Sequence, residues 1–545
     1  MTQMNTSTAI VKGLINNNVD TVFGLPGAQM YDLFEAFYQH KDQIRVIGAR
    51  HEQGLAYMAF GYARSTNKLG VFAPVPGPGV LNTTAALCTA YGSSTSVLCL
   101  TGEVPNNFKG MARGHLHELP DQLAILKGLT KWAAHVDHPD QTPALLNEAI
   151  SAACSGRHGP TSLQLCWDDF NKPITIEGDI PAAELAPTPT INLDDLAQAV
   201  TLIKEARAPM IFVGSGAQHA SAEISELADL LDAPVVSFRG GRGIVGDDKD
   251  LGLNIAAARK LWPETDLMIG IGTRLEIPFM RWGSFMEYKR IMPGKKLLRL
   301  DIDPLEMDKL DNDGTLLADA AEGTRELVAA LIKANVSPSG RREVIATAKA
   351  MSAREVQEIQ PQMDYLAVIR DVLPRDGFLV DEVCQMGFTT PYGFPVYEPL
   401  TFVSGGYQGN LGFGFPTALG VKVGNPDKAV ISITGDGGFM FGVQELATAA
   451  QYNIAVVTLV FNNSAYGNVR RDQQVQYDNN LIGSDLENPD FVKLAESFGV
   501  TGMRVTSPAE LKPALERALA LGKPVVIEVV QEAGCESTPW KFLMG

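Results

Sequence analysis

Short apolar runs that end in glycine-containing turns and lead into amphipathic stretches recur from one end of this chain to the other. In the first part they are VDTVFGLPG, then YDLFEAFYQ, IRVIGAR, HEQGLAYMAFGYAR, LGVFAPVPGPG and SVLCLTGEVP. Strand, turn and helix in that alternation read as a parallel sheet with helices on both faces. Residues 171–192 then turn proline-rich and lose apolar periodicity, which reads as a linker. A second alternating unit has strands at PMIFVGSGA, APVVSFRG, LMIGIGTRL and KLLRLDID, and a charged, helix-favouring linker follows at 341–360. The third unit has strands at GFLVDEV, TFVSGG, AVISITGDGG, AVVTLVFNN and PVVIEVV. A chain of 545 residues is too long for one core. The expected fold is therefore α/β, three doubly wound parallel-sheet domains at 1–172, 190–336 and 360–545.

A formal net charge of -17 offers no basic surface for nucleic acid or an anionic membrane, so neither is an expected partner. The six cysteines lie far apart without a CxxC pair, which suggests neither a zinc site nor a disulfide framework and leaves them as small apolar side chains. The opening MTQMNTSTAIVKGLI lacks a basic segment followed by an apolar core, and no apolar run reaches the ~18 residues of a membrane span. A cytoplasmic enzyme acting on small molecules is the expectation.

Ligands of doubly wound sheets gather beyond the carboxyl ends of the strands, so the glycine-rich loops there are the first to inspect. In the third unit one apolar run leads into Gly435, Asp436, Gly437 and Gly438, then a helix, then a second run ending in Asn462 and Asn463. Adjacent parallel strands would set Asp436 and Asn463 on neighbouring tips, an anionic oxygen beside an amide oxygen. Those are hard ligands, suited to magnesium, which completes its octahedral shell with phosphate oxygens and water. The glycines let a diphosphate approach the backbone with no Cβ in the way. GDG, a helix and then NN closely resembles the cofactor-binding motif of thiamine-diphosphate enzymes. That resemblance implies a divalent ion, magnesium or another, held by Asp436, Asn463 and the backbone carbonyl of Ala465, with Gly435, Gly437, Gly438 and Tyr466 around the cofactor.

Glu52 falls where IRVIGAR enters a helix, a place where the helix dipole alone favours an acid. The words around it say more. RHEQGLAYMAFGYAR, with FGLPGA before it and PGPG and LTGEVP after it, resembles the glutamate helix of acetolactate-synthase-like enzymes. In that family the glutamate hydrogen-bonds a ring nitrogen of the aminopyrimidine and shifts the cofactor to its imino form, which deprotonates the thiazolium carbon. A partly buried carboxyl suits the task because it can share a proton with a weakly basic ring nitrogen.

The same resemblance implies the rest of the site. Gly27 and Pro76 would border the cofactor, and Val383 and Gln385 would lie along it. Gly409 belongs to a glycine-rich loop in which Leu411 would be the wedge that bends the cofactor. Gln29, His117 and Glu118 occupy stretches that line the reaction pocket in relatives, with His115 beside them, and are the expected catalytic companions of Glu52. The last residues, CESTPWKFLMG, would either close over the site as a lid or dock Trp540 on the surface.

The likeness spans nearly the whole chain as pyrimidine-binding, central and diphosphate-binding domains. It implies a carbon-carbon lyase or carboligase, decarboxylating a 2-oxoacid or joining and splitting 2-hydroxyketones, in a homodimer or homotetramer whose site needs both domain types face to face. The text departs from acetolactate synthases after the NN, where Arg470, Arg471 and Asp472 replace an apolar stretch with a tryptophan, and NNSAYGNVR looks more like decarboxylases and lyases. FRGGRGIVGDD and GLNIAAARK do not match the flavin-contacting loops either, so FAD is not expected, although the GIGTR turn is similar in outline. A flavin-linked oxidase of the pyruvate-oxidase type and a diketone hydrolase are the alternatives.

Overall fold

The computed structural model describes residues 1–282, 294–537 and 539–543. The chain opens with β1 (Thr2–Asn5) and lays down β2 (Thr21–Gly24), β3 (Arg45–Gly48), β4 (Gly70–Ala73), β5 (Val97–Glu103), β6 (Trp132–Val136) and β7 (Thr161–Cys166). These last six form a parallel sheet in the order β3-β2-β4-β5-β7-β6. β8 (Pro173–Ile176) returns to pair antiparallel with β1, Thr2 opposite Ile176. The stretch read as a linker from its prolines therefore begins as a strand, paired with the far end of the domain's sequence.

The central sheet follows the order β11-β10-β9-β12-β13-β14 and is again parallel. Its strands are β9 (Pro209–Val213), β10 (Val235–Ser237), β11 (Gly252–Leu253), β12 (Leu267–Ile271), β13 (Lys296–Asp301) and β14 (Gly314–Leu317). The helix Arg342–Glu355 then crosses to the third sheet, as its composition suggests. That sheet has β15 (Phe378–Val380), β16 (Phe402–Val403), β17 (Val430–Gly435), β18 (Val457–Asn462), β19 (Thr501–Val505) and β20 (Val525–Val530), all parallel, in the order β16-β15-β17-β18-β20-β19. Three doubly wound α/β domains is thus the architecture.

Several strands escape a reading by apolar runs, and for a physical reason. β6, β14 and β19 are edge strands, half open to solvent, so their sequences mix polar and apolar residues.

Each sheet contains a reversal of strand order at which crossovers turn to opposite sides, and there the loops leave opposite faces and open a crevice for ligands. The reversals lie between β2 and β4, between β9 and β12, and between β15 and β17.

The first and third domains share a core. The Glu52–Thr66 helix is buried nearly all round because it is sandwiched between its own sheet and the Gly414–Gly424 helix of the third domain. Tyr57 and Phe60 each meet Phe413 edge-on at 5.5 Å. No described helix is long and apolar enough to cross a membrane. All six cysteines are free thiols, with Cys99 and Cys166 buried and the others half-buried.

Candidate active site

At the β2/β4 reversal the structure gathers Gly27, Gln29, Glu52, Pro76 and His117. A Cβ on Gly27 would meet the Val75 side chain at 2.6 Å, so glycine is needed for the FGLPG turn to lie against the loop after β4. Pro76 stands before Gly77, whose positive φ of 63° and contact with the His117 backbone leave no room for a side chain. The Gly77 N–H donates to Gln122 Oε1 at 2.7 Å, fixing the loop from behind.

Glu52 opens its helix, with the His51 ring capping the N–H of Gln53. The carboxylate is half-buried, and Asn82 Nδ2 donates to its Oε2 at 3.0 Å. Gln29 is buried, with φ of 71°, and its Nε2 donates to the Leu116 carbonyl at 2.8 Å. Its Oε1 therefore faces His117 Nδ1, 2.9 Å away. Burial pushes the His117 imidazole below the ordinary histidine range, and the nearby Glu52 carboxylate pulls the other way. Glu118 sits differently. Its carboxylate accepts the N–H groups of Gly114 (2.7 Å) and His115 (3.0 Å), which hold its pKa down. That is the bonding of a loop clasp.

The second half of the site lies at the β15/β17 reversal. β17 and β18 are adjacent and parallel, Gly435 opposite Phe461, so Asp436 and Asn463 stand on neighbouring tips. Asp436 is 2% exposed at the first position of the Asp436–Met440 helix. Asn488 Nδ2 donates to it at 2.7 Å and to Asn462 Oδ1 at 3.0 Å, and burial pushes its carboxyl up. No lysine, arginine or histidine among the described residues pairs with it. Such a carboxylate calls for a cation.

Ala465 and Tyr466 are held by the strand-like run at 484–486, with the Tyr466 N–H donating to the Ser484 carbonyl at 2.8 Å. A Cβ on Gly437 would strike the Tyr466 ring, and one on Gly438 would strike Glu382. Gly435 lies against Cys384, and Gly409, at φ of 60°, faces Val383. Gln385 opens the Gln385–Gly393 helix, is buried, and leaves both its amide oxygen and nitrogen without a hydrogen bond. A buried amide orphaned on both atoms fits a polar ligand in the crevice. Leu411 is half-buried, not absorbed into the core. Donor set, glycine cradle and orphaned amide together fit a divalent ion with a diphosphate. The open pocket beside Asp436 is bordered by Gly437, Met440, Phe441, Tyr466 and Leu486, and by no residue of the first domain.

Two buried acids that sequence reasoning did not single out tie these parts together. Glu382, after β15, accepts the Gly412 N–H and the Thr434 hydroxyl at 2.5 Å each, so one carboxylate braces the Leu411 loop and the end of β17. Burial pushes its carboxyl up to about 7. Glu445 accepts the N–H groups of Arg50 (3.1 Å) and His51 (3.0 Å), latching the start of the Glu52 helix onto the third domain. Asn410 Nδ2 adds a bond to Tyr57 Oη at 3.0 Å.

A separate cavity of about 300 Å³ lies where the three domains meet, at the β9/β12 reversal. Gly214, Ser215, Gly272, Arg274, Asp301 and Asp319 are among its walls. The GIGTR turn is structural as well: a Cβ on Gly272 would come within 2.7 Å of the Gly216 backbone. The carboxyl terminus does not drape freely over the crevice. Trp540 packs on Phe388 at 5.1 Å, and of the stretch read as a lid or a docked tail, residues 538, 544 and 545 lie outside the described residues.

Residues 4–125 match the family described as thiamine pyrophosphate enzyme, N-terminal TPP binding domain. Residues 196–327 match the central domain of the same enzymes, and residues 382–529 their C-terminal TPP binding domain. The chain is 33% identical to a probable acetolactate synthase large subunit of Methanocaldococcus jannaschii, over 96% of this chain and 91% of the relative. It is 30% identical to the acetolactate synthase large subunit of Haemophilus influenzae, over 96% and 94%. A probable 2-ketoarginine decarboxylase of Pseudomonas aeruginosa is also 30% identical, over 94% and 91%.

Proposed function

The chain belongs to the thiamine pyrophosphate-dependent enzymes, in their acetolactate synthase-like group, and from that we propose that it makes or breaks a carbon-carbon bond beside a carbonyl, on a 2-oxoacid or 2-hydroxyketone. The observation that carries the reading is the β15/β17 crevice, where a buried carboxylate without a cation, Asp436, shares the reversal with an amide orphaned on both atoms, Gln385.

In this reading Asp436, Asn463 Oδ1 and the Ala465 carbonyl hold a divalent ion, magnesium by the hardness of the set. Bound thiamine diphosphate supplies a nucleophilic carbon and an electron sink. Glu52 holds a proton against the pyrimidine ring on Oε1, the oxygen that Asn82 leaves open. Gln29 sets the tautomer of His117: Nδ1–H donates to Gln29 Oε1, so Nε2 keeps its lone pair. Burial shifts that imidazole toward its neutral form, the one that can accept a proton. Glu118, committed to its own loop, serves by holding His115 and the residues before it.

Because the pocket beside Asp436 has no wall from its own first domain, we infer that Glu52 reaches the cofactor of a second copy and that the enzyme is a homodimer or a pair of dimers. The central cavity favours one second reading, an oxidase with FAD in that space; a yellow purified protein with a flavin spectrum would support it.

The test is carbon dioxide release from a panel of 2-oxoacids by metal-free protein, before and after thiamine diphosphate and magnesium, with Glu52→Gln beside it. Release that needs both additions and collapses in the variant is expected. No release with cofactor bound directs attention to hydroxyketones and to diketone hydrolysis.

A further inference from the structure

An asparagine ligates a hard cation through its oxygen, so its nitrogen must be held the other way. Asn462 and Asn463 differ in this respect. Asn462 Oδ1 is taken by Asn488 Nδ2 (3.0 Å) and the Ser464 N–H (3.1 Å). Asn463 Nδ2 donates to Glu536 Oε1 at 2.7 Å, and among the described residues no hydrogen bond ends on its Oδ1. Glu536 comes from the segment after β20, and Gly467 makes room for it: a Cβ there would lie 2.8 Å from Glu536 Oε1 and 2.6 Å from Asn463 Nδ2.

The same segment is fastened to the opposite side of the crevice. Ser537 Oγ donates to Gln362 Oε1 at 2.8 Å, and Gln362 Nε2, on a fully buried side chain, donates to the Cys535 carbonyl at 3.2 Å. Trp540 covers Phe388 at 5.1 Å, and Phe542 covers Tyr392 at 5.8 Å. Phe388 and Tyr392 lie on the helix that begins with the orphaned Gln385. The tail therefore touches one tip of the crevice through Glu536 and the helix of the facing tip through its aromatic rings.

We propose that Glu536 is a positioning residue for the metal centre, turning the Asn463 amide oxygen toward the ion, and that docking of the carboxyl-terminal segment is thereby linked to binding of a divalent ion with the diphosphate. The inference rests on the reading of Asn463 as a metal ligand. A charged acceptor behind a ligand fixes its orientation and raises its basicity. Linkage then requires reciprocity: the ion steadies the tail by the factor by which the docked tail tightens the ion.

The experiment measures manganese(II) affinity calorimetrically on the full-length protein with thiamine diphosphate present, and amide hydrogen exchange of residues 539–543 with and without both. Glu536→Ala is expected to weaken manganese about 10–100-fold. Glu536→Gln, which keeps an acceptor oxygen, should stay within about threefold of the parent. Manganese with thiamine diphosphate should slow tail exchange in the parent and not in Glu536→Ala. Parent-like manganese affinity in Glu536→Ala, or tail exchange indifferent to the ion, overturns the inference. Asp436→Ala separates the two levels: if it binds manganese like the parent the metal reading itself falls, whereas loss there with Glu536→Ala unaffected removes only the role of the tail.

Discussion

Asn82 holds one oxygen of Glu52 and leaves the other to a ligand, so replacing the carboxyl by an amide keeps the fastening and removes the proton carrier. Glu52→Gln should lower kcat by about 10²–10⁴-fold. Calorimetry on the same variant should still find thiamine diphosphate bound; loss of binding with no loss of turnover per bound site would remove Glu52 from proton transfer. Glu382 offers a different test. Its carboxyl, buried without a cation, titrates near 7 in the folded chain against an ordinary value of 4.5. The folded state therefore keeps a proton that the unfolded state releases over that interval. The stability due to this group is complete below about 4.5 and drains away as pH rises through about 7, at a slope approaching ~1.4 kcal/mol per unit. Glu382→Gln should gain on the parent in melting temperature as pH goes from 5 to 8; a gap that stays constant would mean the acid is charged throughout. Glu52, Asp436 and Asn463 are legible in the sequence because their chemistry is local, an acid at a helix start and two oxygens at strand ends. Glu382, Glu445, Asn488 and Glu536 are not, because each reaches partners distant in the chain and its own neighbours give no sign of them.

Among elements, the crossing of the Glu52–Thr66 and Gly414–Gly424 helices sets how the first domain meets the third. They approach backbone to backbone: a Cβ on Gly61 would overlap the Thr417 carbonyl, and one on Gly420 the carbonyl of Met58. Neither neighbour is a flexible side chain that could yield. Gly420→Ala should therefore cost about 1–3 kcal/mol or more, read as a lower denaturant midpoint, and should push the start of the Glu52 helix off Glu445. Tolerance of alanine at both glycines would mean the two helices are farther apart in solution. The apolar runs and glycine turns disclose the helices and the central strands. They cannot disclose that the first and third sheets share one strand order while the middle sheet has another, because pairing order depends on which helix crosses which face.

At the scale of the molecule, one chain carries both halves of a site that need not meet within it. Its own Glu52 helix is latched to its own third domain by Glu445, yet the pocket beside Asp436 is open and bordered by the third domain alone. Large apolar side chains stand exposed on both halves: Leu81, Met111 and Leu116 near the first, Met440 and Phe441 near the second. Exposed apolar side chains of that kind are what a second copy would cover. Two inactive variants distinguish a shared site from a site within one chain. Glu52→Gln spoils only the first half and Asp436→Ala only the second. If each site takes its halves from different chains, unfolding and refolding the two variants together in equal amounts makes half of the dimers mixed, and each mixed dimer has one site with both halves intact. Activity should then recover to about a quarter of the parent, while either variant refolded alone stays inactive. Recovery that needs mixing and scales with the mixed fraction places the site between chains. No recovery, from a mixture that light scattering shows to be dimeric, would return Glu52 and Asp436 to one chain and require the two domains to close on each other when the cofactor binds.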